Sequence, residues 1–404
     1  MSAPSIAPYF PFDRVVPVEQ HLERLGPWDQ AVIGFDLDPR LVPVCSGCGE
    51  AVDGVHSYHR RRLRDLSIGT ARVTLIVPQR KVRCPACGIR VELHGFVEPH
   101  RRLTRRLETA VAELCRVVPI QHVAAHFGLH WETVKEIDRR RLEREVGEPN
   151  YDGLRWLAVD EISVHKGHRY MTIVLDLETG RVVWMGRDRT RATLLAFFAE
   201  LTPEQIGSIE AIALDMSTAY HEAVRRACPQ AAVVCDLFHA VAKYSREVID
   251  RVRVDESKKH AGPQRRYIKG SRYLLLRNHH DLSEPQRARL DELLAVNRNL
   301  STVYVLKDQL KDLWRYCDPD AAREAFHRWC AMAESSGIAP LVRFAQHLRS
   351  YEEAIVNHCR YPIHTGQLEG VNNRIKVIKR QAYGFHDDHY FILKIKGTFT
   401  GQRN

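Results

Sequence analysis

Three acidic residues stand where phosphodiester chemistry on two metal ions would need them. Asp160 ends the apolar run LRWLAVD, Asp215 ends IEAIALD, and Glu369 opens the basic, helix-like stretch EGVNNRIKVIKR. Carboxylates that close buried strands project from the carboxyl edge of a sheet, where they converge on divalent metal. The chemistry uses two ions, Mg2+ or Mn2+, about 3.5–4 Å apart. One carboxylate, here Asp160, bridges them, so that one ion activates the attacking oxygen while the other stabilises the leaving oxygen. Neighbouring acids compete for these roles. Glu161 is expected to face the opposite side of the strand and to serve a salt bridge or a structural role. Asp236 in CDLFHAV ends another apolar run and rivals Asp215 for the second position. Asp176 and Asp188 lie near turns and read as surface residues.

A second constellation is made of thiols. Cys45 and Cys48 in VPVCSGCGE, and Cys84 and Cys87 in KVRCPACGI, are two C-x2-C knuckles in which Gly or Pro lets the backbone turn two sulfurs toward one ion. Two such knuckles flanking the strand-like ARVTLIVPQRKVR fit a four-cysteine structural zinc ribbon, with a hairpin and a loop between them; a redox pair or chance spacing is the alternative. His56 and His59 fall inside that span and read as surface histidines, since four thiolates fill a structural site. The remaining six of the ten cysteines are scattered through apolar or helical contexts and read as incidental thiols of a reducing compartment.

The elements that must carry these groups follow from length, charge and periodicity. A chain of 404 residues with formal charge +10 implies two or three domains and a polyanionic partner. The charge falls in bursts, HRRRLR (59–64), HRRLTRR (100–106), RRR (139–141) and KVIKR (376–380), each of which alone would be only a solvated face. No run of about 18 apolar residues and no leader pattern occurs, so a soluble, cytoplasmic protein with no membrane partner is expected.

From Leu103 to about Val118, apolar residues recur at helical spacing, and Ile120, Val123, Ala124 and Phe127 form the face of a second helix. Gly128 and Leu129 then turn the chain into a third helix from Trp131 to about Arg141. Helix, glycine turn and helix with a polar, basic face is the helix-turn-helix pattern; an ordinary helical hairpin is the alternative. On the functional reading Trp131, Glu132, Thr133, Lys135 and Glu136 lie near the groove, and Arg139, Arg140 and Arg141 meet phosphates.

The turn-rich GEPNYDG marks the major boundary. Beyond it LRWLAVDEISV, RYMTIVLDLETG and RVVWMGRDR read as antiparallel strands, the loop HKGH joining the first two. Helix ATLLAFFAEL, strand IEAIALD, helix AYHEAVRRA and strand AAVVCD follow. That is the order of an RNase H-like α/β domain. About 110 residues of helical periodicity then intervene before Glu369. The basic stretch KKHAGPQRRYIKGSR within them reads either as a DNA grip or as a surface loop. The fold class is multidomain α+β, with segments 1–40 (N-terminal), 41–98 (zinc ribbon), 99–148 (helix-turn-helix) and 149–404 (catalytic, with an all-helical insertion at about 243–355).

The strings DEISVHKGHRYMTIVLDLETGRV, LDMSTAYHEAV, CDLFHAV and LEGVNNRIKVIKRQAYGF resemble segments of insertion-sequence transposases of the ISL-three family. The resemblance covers nearly the whole chain, in the order zinc ribbon, helix-turn-helix, DDE catalytic domain. It implies that Asp160, Asp215 and Glu369 are the metal-binding catalytic carboxylates. It further implies that water first nicks DNA at the element end and that the freed 3′-hydroxyl then attacks target DNA. Asp236 with His239 resembles an accessory pattern of related enzymes. Thr365 stands where relatives have asparagine, before a retained Gly366, which puts the loop ahead of Glu369 in question. Asn372, Asn373, Lys376, Lys379 and Arg380 share one helix face with Glu369 and are candidates for DNA contact, or else a solubilising face. Tyr383 and Phe385 read as core anchors. The partner is double-stranded DNA, element ends and target, in a homodimer or larger synaptic assembly associated with the bacterial nucleoid. A domesticated DNA-binding regulator and a stand-alone RNase H-like nuclease are the alternatives; intact acids speak against the first and the two N-terminal modules against the second.

Overall fold

The computed structural model describes residues 7–25, 28–165, 169–382, 385 and 387–401. The chain forms two units, Met1–Arg144 and Glu145–Asn404.

In the first unit, β1 (Val15–Leu25), β2 (Trp28–Leu37), β3 (Val55–Ile68), β4 (Ala71–Cys84) and β5 (Gly88–Val91) form one sheet in the order β1-β2-β4-β3, with β5 on β4. The β3–β4 hairpin turns at Gly69, whose φ of 57° is the left-handed conformation glycine adopts at little cost. Strand alternation aims Leu63, Val73, Leu75 and Val77 into a core with Phe10, Ile33 and Phe35. This corrects the expectation of a separate N-terminal segment. β2 lies parallel to β4, because Ile33 and Phe35 complete the hairpin's apolar face. His56 and His59 are exposed and lie within β3, not in a loop.

Three helices follow. α1 (Arg105–Leu114) starts at Thr104, whose hydroxyl caps Leu107 N–H at 3.4 Å, and is shorter than the sequence periodicity indicates. α2 (Ile120–Phe127) stops at Gly128, φ 62°, and α3 (Trp131–Val146) begins after a tight turn. Val111, Val123, Val134 and Ile137 join the three around one small core. Arg141 does not face phosphate as expected: it recurs at helical spacing from Val134 and Ile137, so it points inward and binds Asp138 at 2.6 Å.

In the second unit, β6 (Trp156–His165), β7 (Arg169–Asp176) and β8 (Val182–Arg187) are antiparallel. Next come α4 (Arg191–Ala199), α5 (Pro203–Ser208), β9 (Ala211–Leu214), α6 (Thr218–Ala227) and β10 (Ala232–Cys235). The sheet order is β10-β9-β6-β7-β8, with β9 and β10 parallel to β6, the RNase H-like arrangement. α5, held by a Thr202–Gln205 capping box, breaks no periodicity rule but is too short to read from sequence. Val159, Val174 and Ile212 on one sheet face pack against Leu194 and Phe197 of α4 and Val224 of α6. Asp176 is buried, not on the surface; its carboxylate accepts from Glu178 N–H and Thr179 O–H to close the turn into β8.

α7 (Leu237–Tyr244) passes through a π-turn, Ser245–Ile249, into α8 (Asp250–Lys258). Helices α9 (Gly262–Gly270), α10 (Arg272–Leu276), α11 (Glu284–Val296), α12 (Arg298–Asp312), α13 (Pro319–Ser335), α14 (Ala339–Arg349) and α15 (Glu352–Val356) complete a block with its own core around Tyr244, Phe326, Trp329 and Phe344. The basic stretch expected as a grip or a loop is in part helical, as α9. α16 (Gly366–Gln381) then packs on β6, and α17 (Asp388–Lys396) on β8. Phe385 is buried against Phe391, ring centroids 4.8 Å apart, whereas Tyr383 and residues 166–168 of the HKGH loop lie outside the described residues. No helix among the described residues is long and apolar enough to cross a membrane.

The buried Asp138–Arg141 pair gives a stability test. Asp138→Ala leaves the guanidinium inside without that carboxylate and is expected to cost about 3–5 kcal/mol in denaturant unfolding. Asp138→Leu combined with Arg141→Met should recover most of the loss, and a double variant no more stable than the single one would contradict this.

Candidate active site

β6 and β9 run side by side in parallel, Ala158 opposite Ala213; β9 ends at Leu214 while β6 continues to His165, so Asp160 sits within its strand instead of closing it. Asp160 lies two residues beyond that pair, and Asp215 follows Leu214, the last residue of β9. Both line a cleft of about 710 Å³ that Glu369 reaches from the first turn of α16. The Asp160 carboxylate accepts from Glu161 N–H and from Asn372 Nδ2, both at 2.8 Å. Asp215 accepts from Ser217 N–H at 3.0 Å, and its own carbonyl takes His221 Nε2 at 3.1 Å. The following loop is held from the helical block, where Tyr351 O–H donates to the Met216 carbonyl at 3.1 Å.

Burial raises the pKa of both aspartates, that of Asp215 to about 6, and the charge of Glu161 adds to the shift. His239 on the opposite wall acts in the other direction. A pair of buried carboxylates crowding a third acid is a donor set that divalent metal fits, since a cation removes both the repulsion and the desolvation cost. Asp160, Asp215 and Glu369 share one cleft but are not drawn together around a single point. Among the described residues the only set of three or more metal-binding side chains with all ligand atoms within 4.8 Å is the four cysteines. A wider spread is what two ions need, because ligands at opposite ends of a two-metal centre do not touch.

The other expected residues fall in distinct places. Glu161 does not turn away: its carboxylate lines the cleft and meets Arg189 at 3.2 Å. Arg189, which carries no motif signal, also stacks 4.1 Å from the Tyr170 ring centroid. It follows Asp188, whose φ of 71° is unusual for a residue with a side chain. Asp236 is buried, caps α7 through Phe238 N–H, and accepts a hydrogen bond from Thr365 O–H. The departure at Thr365 therefore has a structural partner. Asn372 is buried and turned onto Asp160, not toward DNA; its Oδ1 has no hydrogen-bond partner. Lys376 reaches the cleft, Lys379 donates to the Ser163 carbonyl at 3.0 Å, and Asn373 and Arg380 are exposed.

In the first unit, Cys45, Cys48, Cys84 and Cys87 bring their sulfurs within 4.8 Å of one another. Cys84 ends β4, and a Cβ on Gly47 would come within 3.0 Å of the Cys87 sulfur, so the knuckle needs glycine there. The hydrogen bond with Cys48, together with burial, pushes the Cys87 thiol up to about 12, a thiol whose proton a bound cation would displace. On α3, Trp131, Glu132 and Thr133 are exposed in the first turn, with Lys135 half-buried beside them. Arg139 binds Glu136 and Glu143, both at 2.8 Å, and Arg140 binds Glu108 at 3.2 Å, so these cations are engaged by glutamates of their own unit.

Comparison with known proteins follows the same division. Residues 41–87 match the zinc-finger of transposases IS204/IS1001/IS1096/IS1165, residues 91–142 the helix-turn-helix domain of transposase family ISL3, and residues 157–395 the ISL3 DDE transposase domain. The transposase for insertion sequence element IS1001 of Bordetella parapertussis is 48% identical over 363 residues, 89% of each chain. The chain belongs to the ISL3 transposase family. The transposase for insertion sequence element IS1557 of Mycobacterium tuberculosis is 28% identical over 406 residues, covering 93% of this chain and 91% of the relative. The Drosophila P element transposase strand transfer complex aligns with 74% of this chain and 91% of its own at 9% identity, with a TM-score of 0.39, too loose a likeness to carry argument.

The protein is thus a DDE transposase, an enzyme of DNA cleavage and strand transfer, with a zinc ribbon and a DNA-binding helix-turn-helix. Its four thiols fit structural zinc, and its acidic cleft fits divalent metal. The purified transposase is expected to carry about one tightly held zinc per chain. Cys84→Ala should lose that zinc and lower the melting temperature of the first unit; full zinc content in this variant, read by atomic absorption, would refute the four-thiolate site.

Proposed function

We propose that Asp160, Asp215 and Glu369 are the catalytic carboxylates of an insertion-sequence transposase that recognises the terminal inverted repeats of its element as double-stranded DNA. The observation that carries this reading is the delivery of Asp160 and Asp215, from adjacent parallel strands, into the cleft that also holds Glu369. These residues would hold Mg2+ or Mn2+, which would supply Lewis-acid activation of the attacking oxygen and stabilisation of the leaving one. Asn372 fixes the carboxylate of Asp160, while the hydrogen bond between Thr365 and Asp236 seats the start of α16 and so sets the height of Glu369. Asp236 is committed to that contact and to its cap, which leaves the second catalytic position to Asp215. His239 lies across the cleft as a positive neighbour of the acids when protonated.

Trp131 and Thr133, with Lys135, supply the groove-facing side chains of α3, and Lys376, Lys379, Arg380 and Asn373 line the approach to the cleft for phosphates. Cutting two element ends together calls for a homodimer or larger assembly, acting on the nucleoid in the cytoplasm.

Cleavage and strand transfer on duplexes bearing the element's ends, with Mg2+ titrated, test the assignment. Asp160→Ala, Asp215→Ala and Glu369→Ala are expected to bind DNA and make no product. Asp236→Asn, which keeps an acceptor for Thr365, should retain activity; if it is as dead as Asp215→Ala, the second carboxylate has been misassigned. Asn372→Ala removes an orienting contact and not a ligand, so it should lower activity about 10–100-fold and raise the Mg2+ requirement. Unchanged metal dependence in that variant would count against its orienting role.

A further inference from the structure

We infer that the outward face of the β3–β4 hairpin is a phosphate-binding track for duplex DNA, running from Arg64 and Arg72 beside the helix-turn-helix turn out to Arg62 and Arg60. The inference rests on the reading of the first unit as the end-binding module. The burst HRRRLR reads in sequence as a solvated face, but its strand register sorts it. Leu63 opposite Leu75 and Asp65 opposite Val73 define the inward face, so Arg60 opposite Pro78, Arg62 opposite Ile76 and Arg64 opposite Thr74 share the outward one. Arg72, two residues before Thr74 on β4, joins them on that face. Arg61 falls on the other side, donating to Gln79 Oε1 at 3.0 Å, and takes no part.

The inner end of the track lies against the turn that positions the reading helix. Arg64 donates to the carbonyl of Phe127, the last residue of α2, at 3.2 Å. The Arg72 guanidinium lies over Gly128, where an added Cβ would meet its Cζ at 2.4 Å. Burial and the charge of Arg72 both disfavour the Arg64 cation, only partly offset by Asp65. Arg64 and Arg72 thus concentrate positive charge at the left-handed turn of the helix-turn-helix. Farther out, Arg60 and Arg62 are exposed; Arg60 lies 3.8 Å from exposed Asp36, a pair worth little in water. Arg80, on the same face, is bound bidentately by Glu92 and is excluded from the track.

Residues two apart on a strand recur every roughly 6.5 Å. Arg60, Arg62 and Arg64 therefore present a regular row of bidentate donors, which matches the repeating charge of a nucleic-acid backbone better than a compact anion. The geometry also agrees with the helix-turn-helix mode, in which the reading helix enters the groove while neighbouring elements hold phosphates.

Binding of the full-length transposase to an element-end duplex and to a scrambled duplex of equal length, measured by anisotropy across a salt series, tests the track. Arg60→Ala combined with Arg62→Ala, both exposed and outside the core, should weaken both duplexes equally and reduce the slope of log K against log salt by about 1.8, that is about 0.9 per lost phosphate contact. Arg64→Ala should act likewise, and Arg64→Lys should restore the slope. Exposed Arg328, in the helical block, serves as a control whose alanine variant leaves the slope unchanged. An unaltered slope in the Arg60/Arg62 variant, with wild-type binding intact, would overturn the track and leave the reading helix standing, as would a loss confined to the element-end duplex. Thr133→Ala separates the two readings: it should relax discrimination between the duplexes without changing the slope, and failure of the wild type to bind either duplex would remove both.

Discussion

The second unit is organised by one electrostatic cost: Asp160 and Asp215 are gathered beside Glu161 in one cleft, where burial and then the charge of Glu161 oppose the ionised forms of the two aspartates. A fold left to minimise its own energy would spread these groups into water. They stay together because parallel pairing of β6 and β9 sets Asp160 and Asp215 next to each other just past Ala158 and Ala213, and because neighbouring groups fix each carboxylate from outside the strands. Asn372 holds Asp160, Ser217 N–H holds Asp215, and Arg189 neutralises Glu161. The unsatisfied Oδ1 of Asn372 belongs to the same balance, a polar atom kept dry beside a site built for cations.

The first unit meets a different constraint. Its sheet is small and exposed along much of β1, and its apolar core around Leu63, Leu75 and Phe35 is modest. Four thiols clasp the end where β4 and β5 meet, while the Asp65 carboxylate ties the strand to Thr104 and Arg106 at the start of α1. Sheet and helices are joined here by polar contacts at their margins and by Leu66 of β3, which packs against the helical core.

What the sequence disclosed and what it withheld divide along physical lines. Asp160 and Asp215 were legible because a buried strand is a nearly unbroken apolar run and the first acid after the run stands out, although β6 continues past Asp160 to His165. The knuckles were legible because metal-ligand spacing is local. The β1–β2 hairpin was not, since VVPVEQHLERL is mostly exposed and shows no clean alternation. Arg141 and Asn372 were misplaced for a related reason: basic and amide side chains on helices suggest solvent or phosphate until the facing partner, Asp138 or Asp160, is known. Glu161 was assigned to the far side by strict alternation, yet Asp160 and Glu161, both within β6 and opposite Ile173 and Thr172, line the cleft together.

The helical block between β10 and α16 shows why a catalytic sheet tolerates so long an interruption. β10 is an edge strand of the sheet, and its outward carbonyls at Val233 and Cys235 would be left to solvent or to another chain. Asn357 Nδ2 takes the Val233 carbonyl at 3.0 Å and Trp314 Nε1 takes that of Cys235 at 3.1 Å. Tyr351 takes the Met216 carbonyl in the loop after Asp215. The block therefore closes the open edge and braces the loop that carries the second aspartate, after which the chain returns through Thr365 and its contact with Asp236 to present Glu369.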